Sequence, residues 1–192
     1  NMVFPQAIVI PMSSTMTISQ WHVPVDDHHC YWYAIFTSFT DPVNKEQMRA
    51  QRLELYELPD YISRRNRANN YGFDPVEQQK STYLGMGHDI NVHDQWAVES
   101  LGSIQDRTKE HLGTTDKGII LYRRILIRAI KACLDGQMDA LPMRHDSHAA
   151  QSITGPIAID GVTASHTPEG YLVHADQERR RSSSWAASVG NN

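Results

Sequence analysis

The stretch Thr15-Met16-Thr17-Ile18-Ser19-Gln20-Trp21-His22-Val23-Pro24-Val25-Asp26-Asp27-His28-His29-Cys30-Tyr31-Trp32-Tyr33-Ala34-Ile35-Phe36-Thr37-Ser38-Phe39 decides the fold. Thr15 to Val23 reads as a strand, Pro24 to His29 supplies turn chemistry, and Cys30 to Phe39 is a dense aromatic and β-branched run. Two such runs around a turn predict a β-hairpin. In the second run Trp32, Ala34 and Phe36 alternate with Tyr31, Tyr33 and Ile35, so both sides are apolar and both faces are expected to be covered. Trp32, Tyr33 and Phe36 are candidate pocket walls, although core packing is the commoner use of such side chains.

Upstream, the apolar run Val3 to Ile10 begins almost at the terminus, as expected of a piece of a longer chain. Downstream, Asp41-Pro42 ends the strand, and Asn44 to Leu58 is rich in helix formers, with Pro59 as a stop. Tyr61 to Gln79 contains Arg64-Arg65-Asn66-Arg67 and Asn69-Asn70 with little apolar periodicity, which predicts a long polar loop. Asn91 to about Leu101 predicts a helix with Asn91 as N-cap and Gly102 just past its end.

Residues 116–135 form the clearest helix pattern, with Thr115 as cap and Gly136 as stop. Ile119, Tyr122, Leu126, Ile130 and Cys133 follow helical spacing, and Lys117, Arg124, Arg128 and Lys131 occupy another face, so the helix should pack on the sheet. From Gln137 onward the composition predicts an irregular extension (137–192) with a frayed end, in which Arg179-Arg180-Arg181 is solvated charge.

The 192 residues leave room for one ordinary domain. A net charge of −4 with dispersed Lys and Arg lacks the footprint of a nucleic-acid binder. The apolar runs are too short to span a bilayer and no signal-peptide pattern is present, so a soluble chain with no membrane partner is expected. Cys30 and Cys133 form neither a CxxC pair nor a disulfide framework, which fits a cytoplasmic location, and each is expected to be a small buried hydrophobe.

Asp94 is the candidate site residue. Positions three, four and seven further on are Ala97, Val98 and Leu101, so its carboxylate shares a helix face with an apolar row and is expected to be at least partly buried. A buried ionised carboxylate needs a cation, a metal or several hydrogen-bond donors. On pattern alone the commoner role is stabilising the first helical turn through the helix dipole, at about 0.3–1 kcal/mol. His88, Asp89 and His93 lie beside it, but clustered histidines before a helix are more often solvated or capping groups than metal ligands. His22, His29 and His111 are read as structural, and Arg107 as pairing with a nearby carboxylate.

The stretch Gln20 to Tyr33 resembles the catalytic-domain hairpin of the phthalate dioxygenase-like group of Rieske non-haem iron oxygenases. So does His93-Asp94-Gln95-Trp96-Ala97-Val98-Glu99-Ser100-Leu101-Gly102, followed by Asp106-Arg107-Thr108-Lys109-Glu110-His111-Leu112. The likeness covers roughly residues 3–136, with His28 standing where that group favours a small residue such as threonine. It implies that residues 1–136 are the C-terminal part of the catalytic domain and that Asp94 is the carboxylate ligand of a mononuclear Fe(II). The implied fold is α+β of helix-grip (START-like) type, an antiparallel sheet packed on a long C-terminal helix.

The chain contains no Cys-x-His and Cys-x-x-His ligand pairs for a [2Fe-2S] Rieske cluster and no Asp-x-x-His-x-x-x-x-His motif for the other iron ligands. The resemblance places the N-terminal Rieske domain and both histidines outside this chain. It also implies electrons from NAD(P)H through a separate reductase or ferredoxin, an aromatic small-molecule substrate, and a homotrimer as the full-length protein. Ring dihydroxylation, monohydroxylation and O-demethylation all remain open outcomes. A different class, a non-catalytic helix-grip module carrying an apolar ligand, is the alternative.

Overall fold

In the computed structural model, residues 1–141, 155–159, 161 and 167–186 are described. The chain divides into two units, residues 1–43 with 111–192, and residues 44–110. Both helices and antiparallel strands are present, so the α+β reading holds.

The first unit is built on a four-stranded antiparallel sheet in the order β1-β2-β3-β4, comprising β1 (Met2–Val3), β2 (Ala7–Pro11), β3 (Met16–Pro24) and β4 (Cys30–Ser38). The expected hairpin is β3–β4, paired from Met16↔Ser38 to Pro24↔Cys30. Its turn is organised by Asp26, whose Oδ1 accepts from the backbone N–H of His28 and of His29, each at 2.7 Å. Those donors, the His28 N–H first and then the His29 ring, hold the Asp26 carboxyl below the usual carboxylate range.

Register puts Ile18, Gln20 and His22 opposite Phe36, Ala34 and Trp32 on one face, and Thr17, Trp21 and Val23 opposite Thr37, Tyr33 and Tyr31 on the other. Ile18, Thr17 and Gln20 are buried. The expectation that β4 is covered on both faces does not hold. Tyr31, Tyr33 and Ile35 are exposed while Trp32, Ala34 and Phe36 are half-buried, because the face that carries Tyr31, Tyr33 and Ile35 meets solvent. Cys30 and Cys133 are both exposed rather than buried, the first at the open start of β4 and the second on the outer side of the long helix.

That long helix spans Lys117–Leu134, with Asp116 at its N-cap position in place of the expected Thr115 and Gly136 following at φ +71°. Its covered row is Tyr122, Ile125, Leu126, Ala129 and Ala132, a helical stripe rotated from the expected one, which leaves Ile119, Ile130 and Cys133 exposed. The rotation is set by Tyr122, whose hydroxyl donates to the Pro5 carbonyl between β1 and β2. Apolar residues lie on more than one side of this helix, so periodicity alone admits both stripes.

The irregular character expected after Gln137 is corrected over Pro168–Ser182, which is helical, with Thr167 as N-cap accepting from Gly170 N–H. Arg179 is not solvated charge either. Asp176 and Arg179 are only 2% and 7% exposed and form an ion pair, and Arg180 Nε donates to Asp176 Oδ2 at 2.8 Å. Asp176 Oδ2 also accepts the Gly155 N–H at 2.8 Å, so the helix clamps the irregular stretch 155–159. The Arg179 guanidinium lies 3.8 Å from the Phe39 ring centroid, and Phe39 packs against Trp185, whose Nε1 donates to Ser38 O at 3.0 Å. The i, i+3 and i+4 spacing of Asp176, Arg179 and Arg180 is what lets one carboxylate meet both guanidiniums.

The second unit runs α1 (Lys45–Leu53), β5 (Tyr56–Glu57), β6 (Ile62–Ser63), a 3-10 turn (Arg67–Gly72), α2 (Pro75–Lys80) and α3 (Ile90–Glu99). The helix expected to reach Leu58 ends at Leu53, because the chain turns directly into the short β5–β6 hairpin. The polar loop expected over Tyr61 to Gln79 is likewise structured. Asn66 and Asn69 form a reciprocal capping box, and Asp74 caps α2 ahead of Pro75. Tyr71, Met86 and Val92 form the core, with Leu55 and Leu84 packed against them.

Within that core the Tyr71 hydroxyl donates to Glu99 Oε2 at 2.6 Å, and burial together with the Glu99 carboxylate pushes the phenol up to about 12. The folded value lies above the ordinary tyrosine value of about 10, so the folded chain keeps this proton to higher pH. Stability from this group is therefore full below about pH 10 and is lost as pH rises through about 12. Urea denaturation across that range should show the midpoint falling with pH, and Tyr71→Phe should reduce the slope; an unchanged slope in the variant contradicts the assignment. For the first unit, Arg179→Ala leaves the Asp176 carboxylate buried with Arg180 and Gly155 alone. A loss of about 3–5 kcal/mol is expected, with faster amide exchange over 168–182; an effect below about 1 kcal/mol contradicts a buried pair.

Candidate metal-ligand helix

The N-terminus of α3 is fixed by its cap. Asp89, rather than the expected Asn91, accepts the Asn91 N–H through its side chain at 3.0 Å. The same carboxylate pairs with Arg52 from α1, and Arg52 NH1 donates to Asn91 Oδ1 at 3.3 Å. His93 contacts the Gly87 carbonyl through Nε2 at 2.9 Å, so it serves the loop before the helix.

One face of α3 belongs to the unit's own core. Val92 is buried against Tyr71 and Met86, and a turn or two later Gln95 Nε2 donates to Glu99 Oε1 at 2.9 Å while Tyr71 donates to the other oxygen. Asp94 sits in the second turn on the opposite face, with Ile90, Ala97, Val98 and Leu101 around it. The expected sharing of a face with an apolar row is therefore found.

The expected burial is not. Asp94 is exposed, and so are its neighbours Ile90 (54%), Val98 (67%) and Leu101 (59%). The physical reason is that the core of this unit is satisfied by the Val92 and Glu99 side, so nothing within the unit needs the Asp94 side. No hydrogen bond or ion pair engages the Asp94 carboxylate among the described residues.

Asp94 fits one position of a hard-metal site, being an unengaged anionic oxygen donor held on a rigid helix. Among the described residues, no three His, Cys, Asp or Glu side chains converge as a metal site. His88 and Asp94 are not brought into such a cluster, and Asp89 is committed to Arg52. The donor set does not fit an iron–sulfur cluster, since the required paired Cys and His ligands do not occur in the sequence. Arg107 pairs with Glu110 at 2.8 Å, as expected of a charged turn. Sequence reasoning missed Tyr71, Glu99 and Arg52, which hold α3 in place; the i, i+4 step from Gln95 to Glu99 was the available signal.

No helix among the described residues is long and apolar enough to cross a membrane. The chain is 27% identical over 145 residues to the phthalate 4,5-dioxygenase oxygenase subunit of Pseudomonas putida, an alignment covering 70% of this chain. The chain spans 31% of the length of that relative. Residues 1–159 match the family described as LigXa C-terminal domain like. A match over that span, with the hairpin and the Asp94 helix inside it, makes the chain a member of the LigXa C-terminal domain-like family.

Proposed function

We propose that this chain supplies Asp94 as the carboxylate ligand of a mononuclear Fe(II) centre in an oxygenase that acts on an aromatic substrate. The observation that carries the reading is the setting of Asp94. It is an unengaged carboxylate on the one face of α3 that the unit's core leaves free, and that face is otherwise apolar. Covering such a face costs a great deal unless a cation meets the carboxylate. A metal completed by two nitrogen ligands from elsewhere in the oxygenase meets that requirement.

When bound, the iron supplies activation of O2, using electrons that reach it from NAD(P)H through a reductase or ferredoxin and a [2Fe-2S] Rieske cluster. The chain's own part is to hold a negative oxygen donor at a defined bearing and to surround it with apolar side chains. Once covered, Ile90, Val98 and Leu101 exclude water and lower the local dielectric, which strengthens the carboxylate's hold on a cation. The name of the relative, a phthalate 4,5-dioxygenase subunit, supports an aromatic acid as substrate, and an aryl ether fits the same chemistry. A homotrimeric cytoplasmic enzyme is part of the same proposal.

In the oxygenase that contains this chain, Asp94→Ala should leave the visible absorption of the cluster intact, strip the mononuclear iron and abolish product formation. The two centres have separate ligand sets, so one lost oxygen donor affects one of them. Asp94→Glu is expected to retain part of the iron with impaired turnover, because the longer side chain displaces the donor. Full iron content and normal product with Asp94→Ala would exclude the assignment and favour an apolar-ligand carrier.

The 192-residue chain alone should bind Fe(II) weakly, since a single carboxylate competes poorly with water for a hard cation. Anaerobic calorimetry of the chain and its Asp94→Ala variant measures this. Tight one-to-one binding that depends on Asp94 would contradict the expectation and direct attention to His88 and His93.

A further inference from the structure

The bearing of a helix-borne ligand depends on the rotation of its helix. A carboxylate about 5–6 Å from the axis moves by about 1 Å when the helix turns by roughly 10°. A misplacement of about 1 Å at a reacting centre can cost on the order of a hundred-fold in rate. Whatever fixes the rotation of α3 therefore governs what Asp94 can do.

Two polar ties set that rotation, and both act away from Asp94. At the N-terminus, Arg52 binds the capping Asp89 and Asn91. At the C-terminal end, Glu99 receives the Tyr71 hydroxyl at 2.6 Å and Gln95 Nε2 at 2.9 Å, one donor on each carboxylate oxygen. Glu99 follows Asp94 by five residues, which at about 100° per residue places it roughly 140° around the axis. A hydrogen bond there resists turning of the helix.

The backbone beneath Tyr71 points the same way. Asn70 and Tyr71 both adopt the left-handed conformation, at φ 52° and 56°. For a bulky aromatic residue that region is disfavoured, and it persists only where the surroundings over-determine it. Tyr71 is nonetheless buried at 4% exposure, with its ring against Val92 and its hydroxyl on Glu99. A hydrophobic anchor alone would need only the ring. The hydroxyl and its partner do something the ring does not.

We propose that Tyr71 and Glu99 are positioning residues, whose hydrogen bond fixes the rotation of α3 and so aims the Asp94 carboxylate at the metal. The inference rests on the reading of Asp94 as an iron ligand. It assigns no contact with iron or substrate to Tyr71 or Glu99; both act through the helix.

The test uses the oxygenase that contains this chain, carrying Tyr71→Phe, Glu99→Gln or Asp94→Ala. Iron affinity is measured by chelator competition, the environment of the retained iron by the electron paramagnetic resonance of its nitric oxide adduct, and folding by the thermal midpoint. Tyr71→Phe keeps the ring and removes the tie, so iron affinity and turnover should each fall about ten- to a hundred-fold, with an altered resonance from the iron that remains. Glu99→Gln can still accept the phenol proton, and Gln95 can turn its amide to match, so it should stay within a few-fold of the parent with the parental resonance. A lower thermal midpoint in Tyr71→Phe with iron affinity and resonance unchanged would show a merely structural role and overturn the inference. Asp94→Ala reads the underlying assignment separately. If it loses iron while Tyr71→Phe behaves as the parent, positioning alone is wrong; if it keeps iron, the ligand reading fails.

Discussion

The constraint on which the site depends is that α3 has to serve two surfaces at once. Its Val92 and Glu99 side completes the core formed by Tyr71 and Met86, and that demand decides which residues face outward. Asp94, Ile90, Val98 and Leu101 are left on the other side. An amphipathic helix normally shows water a polar face. Here the outward face is apolar around one free carboxylate, so burial within this unit is not what the face is built for.

The ties holding α3 are polar and specific rather than merely hydrophobic. Asp89 both caps the helix and binds Arg52, and Glu99 accepts the Tyr71 hydroxyl from outside the helix. Nearby, Glu77 plays a comparable part for the preceding loop, accepting the Thr82 hydroxyl and the Gly87 N–H, which hold its carboxyl below the usual range. Gly87 could not be replaced freely, since a Cβ there would lie 2.9 Å from Arg65 NH1 at a backbone φ of +74°. The loop that delivers the chain into α3 is therefore closely specified on both sides. In the other unit the Asp176–Arg179 pair does similar work for the C-terminal helix, with the Phe39 ring facing a guanidinium that burial would otherwise leave poorly satisfied.

How much was legible beforehand follows from which signals are local. The β3–β4 hairpin could be read because alternation and turn residues coincide, and the long helix because Thr115 and Gly136 bracket a helical period, although Asp116 takes the cap position. The neighbours of Asp94 on its helix were legible from spacing alone. Its exposure was not, because what covers a face is a tertiary fact. The helix Pro168–Ser182 escaped notice since Thr167-Pro168-Glu169 lies in a Ser-, Ala- and His-rich stretch, and its arginines suggested solvent. A carboxylate three and four residues before Arg179 and Arg180 was the local sign of a buried cluster. The segment after Tyr61 reads as a loop because its polar composition outweighs two capping signatures, at Asn66 and at Asp74-Pro75.

The central claim is that the free carboxylate on α3 exists to hold iron. The most direct measurement is a crystal structure of the iron-loaded oxygenase that contains this chain, determined anaerobically without substrate. The account predicts an Asp94 carboxylate oxygen in the coordination shell of the mononuclear iron beside two histidine nitrogens, with Ile90, Val98 and Leu101 covered. An iron whose shell is completed by another carboxylate, with Asp94 still facing solvent, would contradict it.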